Sequence, residues 1–195
     1  MEKWGASFGS LKHGVKMFSL ILFFLGCAAG LQFDSGAVTQ ETEQCASIAG
    51  SQICDFYAID TTGNEVLLSD LYGQPIVLDL SAGWCGPCLA AASEMQSKAE
   101  MLENVTFLTI LIEDADGLEP DTQDIMDWKH AHGIQDAPIW GSNRDLLTSN
   151  PIDLKDHLYL TGWPTFYFID SDGKLRGYLR GYDSGAVMQM AVELD

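Results

Sequence analysis

Cys85 and Cys88 stand three residues apart in the run Trp84-Cys85-Gly86-Pro87-Cys88. That spacing lets two thiols close a small disulfide ring when the second lies one helical turn beyond the first. Cys85 then caps a helix N-terminus, where unpaired backbone N–H groups and the macrodipole favour a thiolate over a thiol. Pro87 suits the first turn, since its missing N–H would have had no partner there. The residue types predict a dithiol that cycles with a disulfide. A structural bridge or half of a zinc site are the competing uses of the same spacing. Zinc needs a second ligand pair, and the chain has no other Cys-x-x-Cys and no suitably spaced Cys/His pair. No metal and no bound cofactor are therefore expected beyond the redox-active Cys85–Cys88 disulfide.

The elements around the cysteines must hold them at a strand end. Pro75 to Ala82 is a near-continuous apolar run of strand length, which reads as a buried central strand. After the cysteines, Cys88, Ala92, Met95, Ala99 and Leu102 recur at helical spacing. A second apolar run, Val105 to Ile112, follows within a few residues. Strand, helix and strand in so short a span make a βαβ unit with a parallel strand pair. The cysteines fall at the carboxyl end of its first strand, where open α/β sheets carry their chemistry. Asp79 lies six residues before Cys85 inside the first apolar run. A carboxylate there should be desolvated and raised in pKa; the alternative is a solvated, edge-facing aspartate.

From Asp55 onward the chain resembles the thioredoxin superfamily, and within it the TlpA-like and ResA-like extracytoplasmic thiol-disulfide oxidoreductases. The resemblance is carried by Asp55-Phe56, the turn Thr62-Gly63-Asn64, the run Leu68 to Gly73, the Trp84–Cys88 motif, and Gly162-Trp163-Pro164-Thr165. It implies an α/β, thioredoxin-like fold: a central mixed β-sheet flanked by helices, with an N-terminal extension and an insertion before the cis-proline strand. It also implies that Pro164 is that cis-proline, against the alternative of an ordinary trans proline opening a strand. Trp84 and Trp163 would face the substrate chain. Asp79 matches the superfamily's buried aspartate, which takes the proton of the resolving thiol, here Cys88. Leu89 stands where thioredoxins commonly have lysine, and no lysine occurs between Val105 and Ile112 to pair with Asp79. Fewer cations stabilise the thiolate less and make the couple more reducing.

Lys3, Lys12 and Lys16 precede the apolar stretch Met17 to Leu25. That length fits a signal-peptide core and falls well short of the ~20 residues needed to span a bilayer. The following Gly26-Cys27 resembles the end of a bacterial lipobox, with Phe24 where leucine is usual. The resemblance makes residues 1–26 a lipoprotein-type signal peptide and Cys27 the lipidated first mature residue. Ordinary cleavage after Ala28 or Ala29 competes with it. Both readings export the protein to a periplasmic or extracytoplasmic site. Residues 27–52 then read as a tether, polar and without clear periodicity, and 53–195 as the thioredoxin-like domain.

Within the tether and its junction lie Cys45 and Cys54. In an oxidising compartment such a pair most often forms a structural bridge, and closing a ten-residue loop contributes about 2.5–3 kcal/mol in the chain-entropy model. A second redox pair relaying electrons to Cys85–Cys88, or two unpaired thiols, are the alternatives.

From Cys27 onward 27 acidic residues face 7 basic ones. Such a balance argues against nucleic acid and against electrostatic docking on anionic lipid, so membrane attachment would be through the lipid anchor. Glu113 to Asp127 carries seven acidic residues without the spacing of a calcium-binding loop. It reads as a solvated acidic loop running into a helix at about 121–132. His130 and His132 are two apart there and point in different directions. The segment from Gly133 to Tyr159, with Pro138, Trp140 and Pro151, reads as an irregular excursion.

The expected function is reduction of disulfides in exported proteins, and the family resemblance implies a membrane thiol-transporting electron donor that resupplies the electrons. Three other functions compete with it. A peroxiredoxin-type peroxidase wants a hydroxyl residue three before its reactive cysteine, and Ala82 stands there. A copper-handling protein of the related type wants Cys-x-x-x-Cys, one spacer more than this motif has. A redox-inactive binding module would not be expected to keep both cysteines, Asp79 and Pro164.

Overall fold

The computed structural model describes residues 45–46, 48–149, 158–160 and 162–194. The stretch read as a signal peptide, Cys27 and most of the stretch read as a tether lie outside the described residues. The chain begins with a hairpin, β1 (Tyr57–Ile59) and β2 (Glu65–Leu67), then a short 3-10 helix at Leu68–Leu71. Next come β3 (Ile76–Ala82), α1 (Gly86–Met101), β4 (Thr106–Glu113), α2 (Thr122–Ala131) and β5 (Ile139–Gly141). Two short strands, β6 (Leu147–Thr148) and β7 (Leu158–Tyr159), precede β8 (Thr165–Ile169), β9 (Leu175–Arg180) and α3 (Ser184–Val192). The main sheet has the order β2-β1-β5-β4-β3-β8-β9, while β6 and β7 pair as a separate ribbon. β3 runs parallel to β4 and antiparallel to β8, so the expected mixed α/β thioredoxin-like sheet is present.

β3 is apolar almost throughout because every one of its residues is buried. Strand alternation divides the core in two. Val77, Phe107 and Phe166 meet Ala92 and Met95 of α1, Trp128 of α2 and Val187 of α3 on one face. Leu78, Leu80 and Ile110 meet Phe56, Leu68 and Leu146 on the other. Three helices therefore cover one face, and the N-terminal segments with Trp140, Leu146 and Leu158 cover its opposite. The excursion is not wholly irregular, since Ile139–Gly141 adds a strand parallel to β4. Three residues flanked by Pro138 are too few to show a strand period in sequence.

α1 departs from its predicted stripe. It buries Lys98 instead of burying Ala99 and Leu102 fully. The lysine is only 3% exposed, and its ammonium is satisfied by Glu94 at 2.7 Å and by the Ser184 hydroxyl at 2.6 Å. It also lies over the Tyr182 ring. A buried cation needs such partners, and here they tie α1 to the first turn of α3.

Cys45 and Cys54 are joined in a disulfide. The segment it closes is docked: Gly50 N–H donates to Leu175, Leu175 N–H to Ser51, and Ile53 N–H to Gly173. The last residues of the stretch read as tether thus extend the edge at the β8–β9 turn. Gly173 has φ of +81° there, and a Cβ would stand 2.6 Å from the Tyr72 ring, so the turn needs glycine twice over.

Candidate active site

Cys85 is the N-cap of α1 and Cys88 sits one turn in, the two joined as a disulfide. The Cys88 backbone N–H donates to Cys85 Sγ at 3.2 Å, which aims one of the helix's free donors at the sulfur. Cys85 retains 4% of its surface and Cys88 none. Of the two, Cys85 alone keeps surface to offer a partner. Trp163-Pro164 is a cis peptide, in the loop leading into β8. Trp163 and Trp84 pack edge to face with centroids 6.1 Å apart, and Trp163 packs against the cluster that holds both cysteines. The five residues Trp84, Cys85, Cys88, Trp163 and Pro164 are thereby assembled from two distant stretches of chain.

Asp79 lies in the middle of β3, opposite Thr109 of β4 and Phe166 of β8. Alternation puts it on the face of Val77, which is the face that carries the cysteines. It is wholly buried. Burial lifts its carboxyl from the ordinary 3.8 to about 7, and a hydrogen bond from the Ser81 hydroxyl at 2.8 Å opposes that only in part. One carboxyl oxygen, Oδ1, has no protein partner, and neither does the neighbouring Thr109 hydroxyl. Asp79 is thus a buried carboxyl raised toward neutrality, with one oxygen left open to a hydrogen bond. Ser81 and Thr109 are polar neighbours that sequence reasoning missed. Their only signal was a hydroxyl in each of two apolar strands, at positions sharing Asp79's parity.

Glu113 departs from the solvated acidic loop expected of its neighbours, because it closes β4 and is 5% exposed. Its carboxylate accepts the Trp84 indole N–H at 2.6 Å and pairs with the Arg144 guanidinium. Burial pushes the Glu113 carboxyl up, but the hydrogen bonds from Arg144 and Trp84 outweigh it and hold the group below the usual carboxylate range. Gly83 allows this junction, because any Cβ would meet the Asp114–Ala115 backbone at 2.7 Å. Trp84 is therefore held from behind while its face stays 47% exposed. Glu113→Ala is expected to cost about 1.5–3 kcal/mol, the range for hydrogen bonds to a charged group, and to free the indole. Denaturant melts with near-ultraviolet dichroism check it; unchanged values for both would show that Trp84 is held otherwise.

The other sequence candidates are not drawn into the site. His130 is exposed, and His132 lies half-buried against the Trp128 ring at 4.8 Å.

The sequence pattern of the AhpC/TSA family matches residues 49–178. The pneumococcal exposed lipoprotein thioredoxin of Streptococcus pneumoniae is 25% identical, with 72% of this chain and 99% of that one covered and a TM-score of 0.56. A thiol:disulfide interchange protein from Chlorobium tepidum shares the fold at 20% identity, with 72% and 93% covered and a TM-score of 0.57. An uncharacterized protein of Haemophilus influenzae is 28% identical over 137 residues, 70% of this chain and 83% of its own.

Proposed function

This chain belongs to the AhpC/TSA family, and from that premise we propose that it is an extracytoplasmic thiol-disulfide oxidoreductase that reduces disulfides of exported proteins. The observation that carries the reading is the unequal access of two bonded sulfurs at a helix N-terminus beside a cis-proline loop. In the reduced protein the Cys85 thiolate attacks a substrate disulfide, forms a mixed disulfide and releases one substrate thiolate. Cys88 gives its proton to Asp79 and attacks Cys85 Sγ. The second substrate thiolate then leaves. Two electrons pass to the substrate, and the Cys85–Cys88 disulfide forms. Trp84 and Trp163 flank the incoming chain, and Pro164 holds its loop against the disulfide. Cys45–Cys54 is a structural bridge in this scheme. A membrane thiol-transporting donor must return two electrons by the same exchange chemistry.

The local charge supports the reducing direction. The helix end stabilises the Cys85 thiolate, but Leu89 follows Cys88 where a lysine would help, and the nearby Arg144 is paired with Glu113. A couple with little thiolate stabilisation is reducing. Equilibration with glutathione buffers is expected to give a potential near that of thioredoxin, about −270 mV, and far from the strong oxidant's about −120 mV. A protein that stays reduced in oxidising glutathione would overturn the reductase direction. Consumption of hydrogen peroxide by the reduced protein would instead favour the peroxidase reading.

Lipid attachment at Cys27 would hold the domain at a membrane that its negative charge could not otherwise approach. The mature protein is expected to take up a labelled fatty acid and to partition with membranes, and Cys27→Ser to block both. A soluble, unlabelled form starting after Ala28 or Ala29 would rule the anchor out.

A further inference from the structure

A groove of about 260 Å³ opens beside the dithiol, between the start of α1, the Asp114–Ala115 turn and α2. Leu89, the residue after Cys88, stands 39% exposed at its near end. Leu111 and Trp128 complete an apolar floor, and Asp114, Asp124 and Asp127 form the rim. None of the three carboxylates has a cationic partner among the described residues. Asp114 accepts the backbone N–H groups of Asp116 and Leu118, Asp124 that of Asp121, and Asp127 the Gln123 amide. These bonds hold the carboxylates in place and leave their charge uncompensated. They do not converge as a metal site would, since no group of three acidic, His or Cys side chains among the described residues is arranged to hold an ion. Trp128, 6% exposed, has an indole N–H without an acceptor.

We propose that this groove seats the substrate segment flanking the attacked cysteine, with an apolar side chain on the Leu89–Trp128 floor and a neighbouring lysine or arginine at the Asp124–Asp127 rim. The proposal rests on the thiol-disulfide reading and names its substrate class: basic, apolar-flanked polypeptide disulfides. An apolar floor one residue from Cys88 and a rim of fixed, unpaired negative charge are the complement of such a segment. A long flexible cation can reach carboxylates spaced along a rim, which a single ion cannot. Gly83 keeps the Asp114–Ala115 turn pressed against the strand end that leads into Trp84, so the groove and the reactive sulfur keep one geometry.

The test uses the reduced, full chain and two disulfide-bridged peptides. They share a leucine beside the cysteine and differ only in carrying lysine or glutamate next to it. The ratio of their kcat/KM values is read within each protein, so that general damage to a variant cancels. The wild type is expected to favour the lysine peptide about three- to tenfold, because partly exposed charge pairs have modest strength. Half-molar salt should shrink the preference by screening, and Asp124→Asn with Asp127→Asn should bring the ratio to within about twofold of unity. Asp127→Asn alone, at an exposed position that keeps its bond with Gln123, should give an intermediate ratio. Equal rates for the two peptides in the wild type, or a preference that survives in the double variant, would overturn the groove. A wild type that reduces neither peptide nor hydroxyethyl disulfide would overturn the groove together with the reading beneath it.

Discussion

Cys88→Ala is expected to reduce multiple-turnover disulfide reduction by about three orders of magnitude or more, the scale seen when a catalytic nucleophile is removed. It should do so while leaving the first step intact. Cys85 remains at the helix N-cap as the more exposed of the two cysteines, and still forms a mixed disulfide with a substrate cysteine. Without Cys88 nothing within the site can displace it. The variant should therefore accumulate covalent adducts, which non-reducing gels and mass spectrometry would place on Cys85. Cys85→Ser should give neither turnover nor adduct, because Cys88 is wholly buried and cannot meet a partner first. Normal turnover in Cys88→Ala would remove the resolving role. Adducts on Cys45 or Cys54 would move the chemistry to the other cysteine pair.

The second large effect concerns Asp79, and its sign follows from linkage. In the unfolded chain this carboxyl loses its proton near 3.8, whereas in the fold it holds the proton until about pH 7. The folded state thus binds the extra proton between those values, and stability contributed by this group falls as pH rises through that window. The fall is complete above about pH 7 and amounts to about 4 kcal/mol. Glu94 acts with the opposite sign, because the hydrogen bond from Lys98 holds its carboxyl at about 2. Its window runs from about 2 up to the ordinary 4.5, so it meets that of Asp79 only at the acid end and leaves the rise toward pH 7 to Asp79. Asp79→Asn is expected to raise the melting temperature at pH 8, to change it much less at pH 4, and to flatten the profile between. The same variant should slow resolution of the mixed disulfide about 10²-fold, the lower end for a lost proton acceptor. Coincident melts at both pH values, or unchanged single-turnover kinetics at neutral pH, would take Asp79 out of the mechanism.

Much of the site was legible in the linear chain because its signals are local. The Cys85–Cys88 spacing, Pro87 in the first turn and the apolar runs of β3 and β4 each report a preference that neighbouring residues impose on one another. The βαβ order follows from those runs, and with it the strand-end position of the cysteines. Asp79 stood out because one carboxylate interrupts a strand with no other charge. Pro164 was legible only through its resemblance to a family loop, since nothing in a Trp-Pro pair distinguishes cis from trans.

What the chain order could not supply is which distant side chains would share a burial. Glu113 sits at the junction of an apolar run and an acidic loop, and its composition assigns it to the loop. Trp84 and Arg144, 29 and 31 residues away, supply the partners that let it be buried. Lys98 joined the core for the same reason, through Ser184, 86 residues on. The strand at 139–141 is too short to carry a period and exists because β4 offers it an edge. A sequence states the charge and polarity of each residue, whereas the cost of burying that charge depends on the partners the fold brings within hydrogen-bond reach. That cost was settled by the tertiary structure alone.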